Sequence, residues 1–77
     1  MEGADPMTYT IVIERGDDGG WGGMAPDLPG LLLLADSRDE VIAQAPGAIA
    51  DYIDSMRESG HPVPEPRCEA VSVEIAP

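Results

Sequence analysis

The chain has 77 residues, with 15 acidic side chains against four arginines, no lysine and a formal net charge of −11. That length holds one domain with a thin core, since a domain of this size buries only about 60% of its unfolded surface. The charge argues against direct contact with a nucleic-acid backbone, which needs clustered Lys or Arg. No run approaches the ~20 apolar residues of a membrane span.

Residues 1–7 open acidic and polar, without the basic start and apolar stretch of a signal peptide. They are read as a disordered tail, and residues 8–77 as the domain. Thr8 to Glu14 is predicted as a strand, because Tyr9, Ile11 and Ile13 alternate with Thr8, Thr10, Val12 and Glu14. The first set should face the core. Arg15 to Gly20 is a turn, with an Asp-Gly pair that suits a hairpin. Trp21 to Ala25 returns as a strand that Gly22 and Gly23 weaken.

Pro26-Asp27-Leu28-Pro29-Gly30 is a second turn, and the apolar run Leu31 to Leu34 reads as a strand buried on both faces. Three strands joined by tight turns make an antiparallel meander. Ser37 and Glu40 then form a capping box. Val41, Ile42, Ala45, Ile49, Tyr52, Ile53 and Met56 give one apolar helical face, and Gly60 with Pro62 ends the helix. Pro46-Gly47 lies inside this segment, where proline removes a backbone hydrogen bond. A kink near residues 42–47 is expected in a single element, with two shorter helices as the alternative. After the stiff connector His61 to Pro66, Glu69 to Ile75 alternates Val71, Val73 and Ile75 with polar or small residues. It is predicted as a last strand beside the first. The fold class is α+β in the order β-β-β-α-β, with one helix on one face of the sheet.

Catalytic chemistry is weakly represented. His61, the lone histidine, falls in a proline-rich loop, and Cys68, the lone cysteine, reads as a small half-buried hydrophobe. A single free thiol fits a reducing cytoplasm and allows no disulfide. A metal-dependent hydrolase would need converging carboxylates. Turn and cap propensity already accounts for Asp17, Asp18, Asp27, Asp36 and Asp39. The Gly19-Gly20-Trp21-Gly22-Gly23 segment lacks the lysine and spacing of a phosphate-binding loop. No catalytic residue, metal site or cofactor is assigned.

The succession of motifs is more specific than any one of them. Tyr9 to Glu14 leads to Asp17-Asp18-Gly19-Gly20-Trp21, then to Pro26-Asp27-Leu28-Pro29-Gly30. Ala35 to Glu40 follows, and Gly60-His61-Pro62-Val63-Pro64-Glu65-Pro66 closes the series. Across residues 8 to 66 this resembles the HicB antitoxin family. The resemblance implies a partial ribonuclease-H-like β-β-β-α-β domain that is not catalytic. It also implies the neutralisation of a small, basic, messenger-RNA-cleaving toxin of the HicA type. The chain departs from the family at Leu31, where relatives often carry Cys, and at Pro46-Gly47. It ends before the DNA-binding module of many relatives would fit, so autorepression by this chain alone is not expected.

The acidic balance suits a basic protein partner, with no direct nucleic-acid or membrane contact. Asp17, Asp18, Trp21 and Asp27 are the candidate partner-binding residues, because turns expose them and tryptophan is a common interface anchor. The outer helix face, Asp51, Asp54 and Glu58, is the alternative. Trp21 is read first as a lid on the thin core, with the exposed contact anchor as the alternative. A thin core and a strand at a sheet edge also favour a homo-oligomer, dimer or tetramer. A self-associating module without a toxin is the competing function.

Overall fold

The computed structural model describes residues 7–77, so the expected N-terminal tail lies almost wholly outside the described residues. β1 (Val12–Arg15), β2 (Trp21–Met24) and β3 (Leu32–Ala35) form an antiparallel sheet in the order β1-β2-β3, followed by α1 (Arg38–Glu58). The α+β class and the meander agree with the sequence. β1 starts later than predicted, at Val12 rather than Thr8.

The first turn closes through Gly16 N–H to Gly20 O at 2.7 Å and Gly19 N–H to Gly16 O at 3.1 Å. Gly19 takes a φ of 88°, which an L side chain rarely adopts. The register then fixes what each face shows. Ile13, Gly23 and Leu33 lie side by side on the helix-facing side, as do Arg15, Trp21 and Ala35. Val12, Met24 and Leu32 form a row on the other side, next to the row Glu14, Gly22 and Leu34.

α1 is capped as its sequence specifies. Ser37 Oγ accepts the Glu40 N–H at 3.2 Å and bonds the Glu40 carboxyl at 2.9 Å. At the far end, Gly60 N–H donates to Arg57 O and His61 N–H to Met56 O, the two bonds of a Schellman ending. The helix runs through Pro46 as one element, so the two-helix alternative is not the structure adopted. Pro46 is exposed, on the side turned from the sheet.

The buried core consists of Ala25, Leu28, Leu33, Val41 and Ala45, with no buried polar or charged residue among the described residues. Ile11, Ile13, Trp21, Leu31, Ala35 and Ala48 pack, half-buried, against the cluster of Leu33, Val41 and Ala45. Leu28 is fully buried although it sits in the Pro26–Gly30 turn. That turn is held by Leu28 N–H to Ala25 O, Leu31 N–H to Leu28 O, and the Tyr52 hydroxyl donating to Pro29 O at 2.8 Å.

Two expectations are corrected here. The run Leu31–Leu34 is not buried on both faces: Leu33 is 3% exposed, but Leu32 and Leu34 are each 68% exposed. A single helix covers a single face, so every second residue of β3 is left uncovered. The strand predicted over Glu69–Ile75 is also absent from the sheet, and residues 61–77 carry no regular structure. Val71, Val73 and Ile75 are 74%, 74% and 85% exposed, while Ala70 and Ser72 border the groove beside β1. In this phase, pairing with the chain's own β1 would bury alanine and serine and leave the β-branched side chains in water.

Candidate partner-binding surface

The four residues singled out by sequence do not form one patch. β2 runs from the first turn to the second, so Asp17, Asp18 and Trp21 lie at one end of the sheet and Asp27 at the other. Asp17 is exposed. Asp18 Oδ1 accepts the Gly20 N–H at 2.9 Å, closing the turn on itself while the carboxylate stays at the surface. Trp21 is half-buried and packs against the core of Leu33, Val41 and Ala45.

Asp27 is occupied. Its Oδ2 accepts the N–H groups of Arg67 at 2.9 Å and Cys68 at 3.0 Å, and its Oδ1 accepts the Cys68 thiol at 3.2 Å. The Cys68 N–H, then the Arg67 N–H, hold the Asp27 carboxyl below its usual range. In return the Cys68 thiol is pushed up by the carboxylate it bonds, which disfavours the thiolate. Cys68 is exposed rather than half-buried. Asp27 thus clamps the C-terminal segment to the second turn. The Tyr9 hydroxyl donating to Pro64 O and the Thr10 hydroxyl donating to Cys68 O at 2.9 Å complete the attachment.

The surface that sequence reasoning missed is the uncovered face of the sheet. Val12, Met24, Leu32 and Leu34 are 47%, 50%, 68% and 68% exposed and adjacent by register. With the glycines of β2 they line a shallow depression of about 690 Å³. Glu14, Asp18 and Asp36 stand at its margin, and no arginine lines it. The signal was present in the sequence. An apolar run with residues for both faces, in a chain with one helix, leaves one face to be covered by something else. Among the described residues no three His, Cys, Asp or Glu side chains gather as metal ligands, and no helix is long and apolar enough to cross a membrane.

The molecule thus presents an acidic-rimmed apolar face on a three-strand, one-helix frame. The family model described as the HicB-like antitoxin of bacterial toxin–antitoxin systems matches residues 9–75. The chain belongs to the HicB-like antitoxin family. A UPF0150 protein of Thermoplasma acidophilum is 28% identical over 67 residues, covering 87% of this chain and 97% of that protein. Antitoxin HicB 2 of Photorhabdus laumondii is 35% identical over 60 residues, covering 78% of this chain and 42% of that protein. This HicB-like domain therefore accounts for nearly the whole of the first relative and less than half of the second. The match runs through β1, the Asp27 turn, α1 and the exposed C-terminal segment alike.

Proposed function

We propose that this HicB-like protein binds a small basic RNA-cleaving toxin of the HicA type on its uncovered sheet face and so neutralises it. The supporting observation is the pairing of Leu32 and Leu34, each 68% exposed, with a margin of Glu14, Asp18 and Asp36 that contains no cation. A protein that cleaves RNA presents cations to the phosphates it approaches. The acidic margin competes for those cations, while the leucines supply the apolar centre of a stable interface. A second copy of this chain fits the same face poorly, because it would bring its own −11 charge and an identical acidic margin. The protein acts here as a binding partner and not as an enzyme.

The test is capture of partners on the tagged protein from its own cell extract at low and high salt, followed by calorimetry and an RNA-cleavage assay with the protein recovered. The expected result is one small basic protein, released by salt, whose cleavage activity falls on titration with this chain. Fully burying a leucine side chain contributes about 1.5–3 kcal/mol. With 68% left to bury at each site, Leu32→Ala with Leu34→Ala should remove about 2–4 kcal/mol, a loss of roughly 30- to 700-fold in affinity. Recovery of no small basic protein, or full affinity in the double variant, refutes the proposal.

A further inference from the structure

We infer that Gly22 is the floor of a slot for one long cationic side chain, an arginine or a lysine, of a basic protein partner, with Leu34 on one side and Glu14 on the other. This rests on the proposal that the uncovered sheet face binds such a partner, and it names what the partner must place there. Gly22 is the middle of the row Glu14, Gly22 and Leu34, so no side chain of that row rises between the outer two. Their backbones stand roughly 10 Å apart, two strand spacings. The fold does not ask for glycine at this position. A Cβ on Gly22 would meet Leu33 O at 3.5 Å and Leu34 Cδ2 at 3.6 Å, both ordinary contacts, and Gly22 is not among the glycines with positive φ. Gly23 is the reverse case, with Val41 Cγ1 only 2.9 Å from its Cβ position. The register also passes through Gly22 on both sides without a bulge. Glycine inside a strand weakens it, and with bulge, bend and close packing set aside, the remaining use is close approach by another molecule.

The surroundings select the occupant. Met24 and Leu32 border the depression toward the second turn. Toward the first turn Gly20 also lines it, and Asp18 and Asp36 stand at the margin. The slot is therefore apolar at one end and carboxylate-bordered at the other, with no arginine of its own. An apolar side chain would suit Leu34 but would take water from the carboxylates without pairing them. An acidic one would be repelled. A lysine or arginine satisfies both ends, its stem along Leu34 and its head beside Glu14 in partial contact with water. An exposed ion pair contributes little by itself. The room above Gly22, which lets the stem lie down, is thus the larger contribution, and Gly22 decides what the face accepts.

Calorimetry with the small basic protein captured on the wild-type chain tests the inference. Gly22→Val fills the slot and should lower affinity by roughly tenfold or more, with a Tm at or above that of wild type. Gly22→Ala should fold with an unchanged or raised Tm, since its Cβ makes only ordinary contacts, and should give a smaller loss in the same direction. Glu14→Gln should lower affinity by roughly two- to fivefold and reduce its dependence on salt. Methionine is then placed at each surface arginine and lysine of the captured protein in turn. One of these changes should be coupled to Glu14→Gln, and the coupling should vanish in Gly22→Val. Full affinity in both Gly22 variants overturns the slot. A loss in Gly22→Val with no effect of Glu14→Gln and no coupled cation overturns the cationic occupant. If Leu32→Ala with Leu34→Ala weakens binding but Gly22→Val does not, the toxin proposal stands and this inference falls. If no basic protein is captured, both fall.

Discussion

Gly23 is the tightest point between sheet and helix, and Gly23→Ala tests the packing directly. A Cβ at Gly23 would lie 2.9 Å from Val41 Cγ1 and 3.4 Å from both Ile13 Cγ2 and Leu33 Cδ1. Ordinary carbon contacts fall at about 3.5–4.0 Å. Val41 is fully buried and β-branched, with its χ1 restricted in the helix, so it cannot turn aside and α1 itself must lift. Overpacking of this kind costs about 1–3 kcal/mol. Replacing a strand glycine returns about 0.5–1 kcal/mol through the unfolded state. At the middle of both ranges the net loss is about 1 kcal/mol, and at about 4–8 °C per kcal/mol the Tm should fall by about 4–8 °C. Circular dichroism melts at one fixed protein concentration measure this, because association shifts apparent stability. Val41→Ala in the Gly23→Ala background removes the clashing methyl, so the double variant should be more stable than the sum of the single effects by about 1 kcal/mol. A Gly23→Ala protein as stable as wild type, or strictly additive effects, would refute the close approach.

Ser37→Ala removes the acceptor of the Glu40 N–H and should cost about 1 kcal/mol in urea denaturation, with no loss of toxin binding. Pro46→Ala should stabilise the protein, by up to about 3 kcal/mol, because Pro46 is exposed and interrupts the backbone bonding of α1; an unchanged or lower Tm would show that the proline has a structural role. The Asp27 carboxyl is held below its usual value in the folded chain, so its contribution is complete above about pH 3.9 and is lost as pH falls through the depressed folded value. The Arg67 and Cys68 amide resonances should titrate with that depressed midpoint and stop titrating in Asp27→Asn, whereas a midpoint at or above the ordinary aspartate value would contradict the clamp.

Local chemistry made most of the fold legible. The Asp-Gly turn, the Ser37–Glu40 box and the Gly60 ending each act over four or five residues, and each forms where the sequence places it. Alternation in Ile11, just before β1, and Ile13, within it, correctly marks the side of the chain that meets the core. What failed depended on how many layers the molecule has. Leu32 and Leu34 read as buried only if both faces of the sheet are covered, and one helix cannot do that. Val71, Val73 and Ile75 have strand character, but character does not supply a neighbour, and the Asp27 clamp on Arg67 and Cys68 fixes a phase that alternation alone does not reveal. The clamp also changes the meaning of Asp27, which the sequence offers as a free turn carboxylate and the structure spends on two backbone amides. Leu28 was not legible because turns are read as exposed, yet it is fully buried in a turn that the Tyr52 hydroxyl holds at Pro29 O.

The two unsatisfied apolar regions lie on different sides of the sheet and differ in electrostatic character. The uncovered face is bordered only by carboxylates, and the groove beside β1 contains Arg38. A basic protein suits the first, whose rim repels a second copy of so acidic a chain. Val12 alone lines both, so occupying the sheet face should leave the groove nearly intact. The carboxylate rim should act through charge and the leucines through burial, so raising the ionic strength should weaken toxin binding by the wild type and by Leu32→Ala with Leu34→Ala in the same proportion. Titration calorimetry at low and high salt checks this. A toxin affinity indifferent to salt would mean that the acidic margin takes no part in the contact.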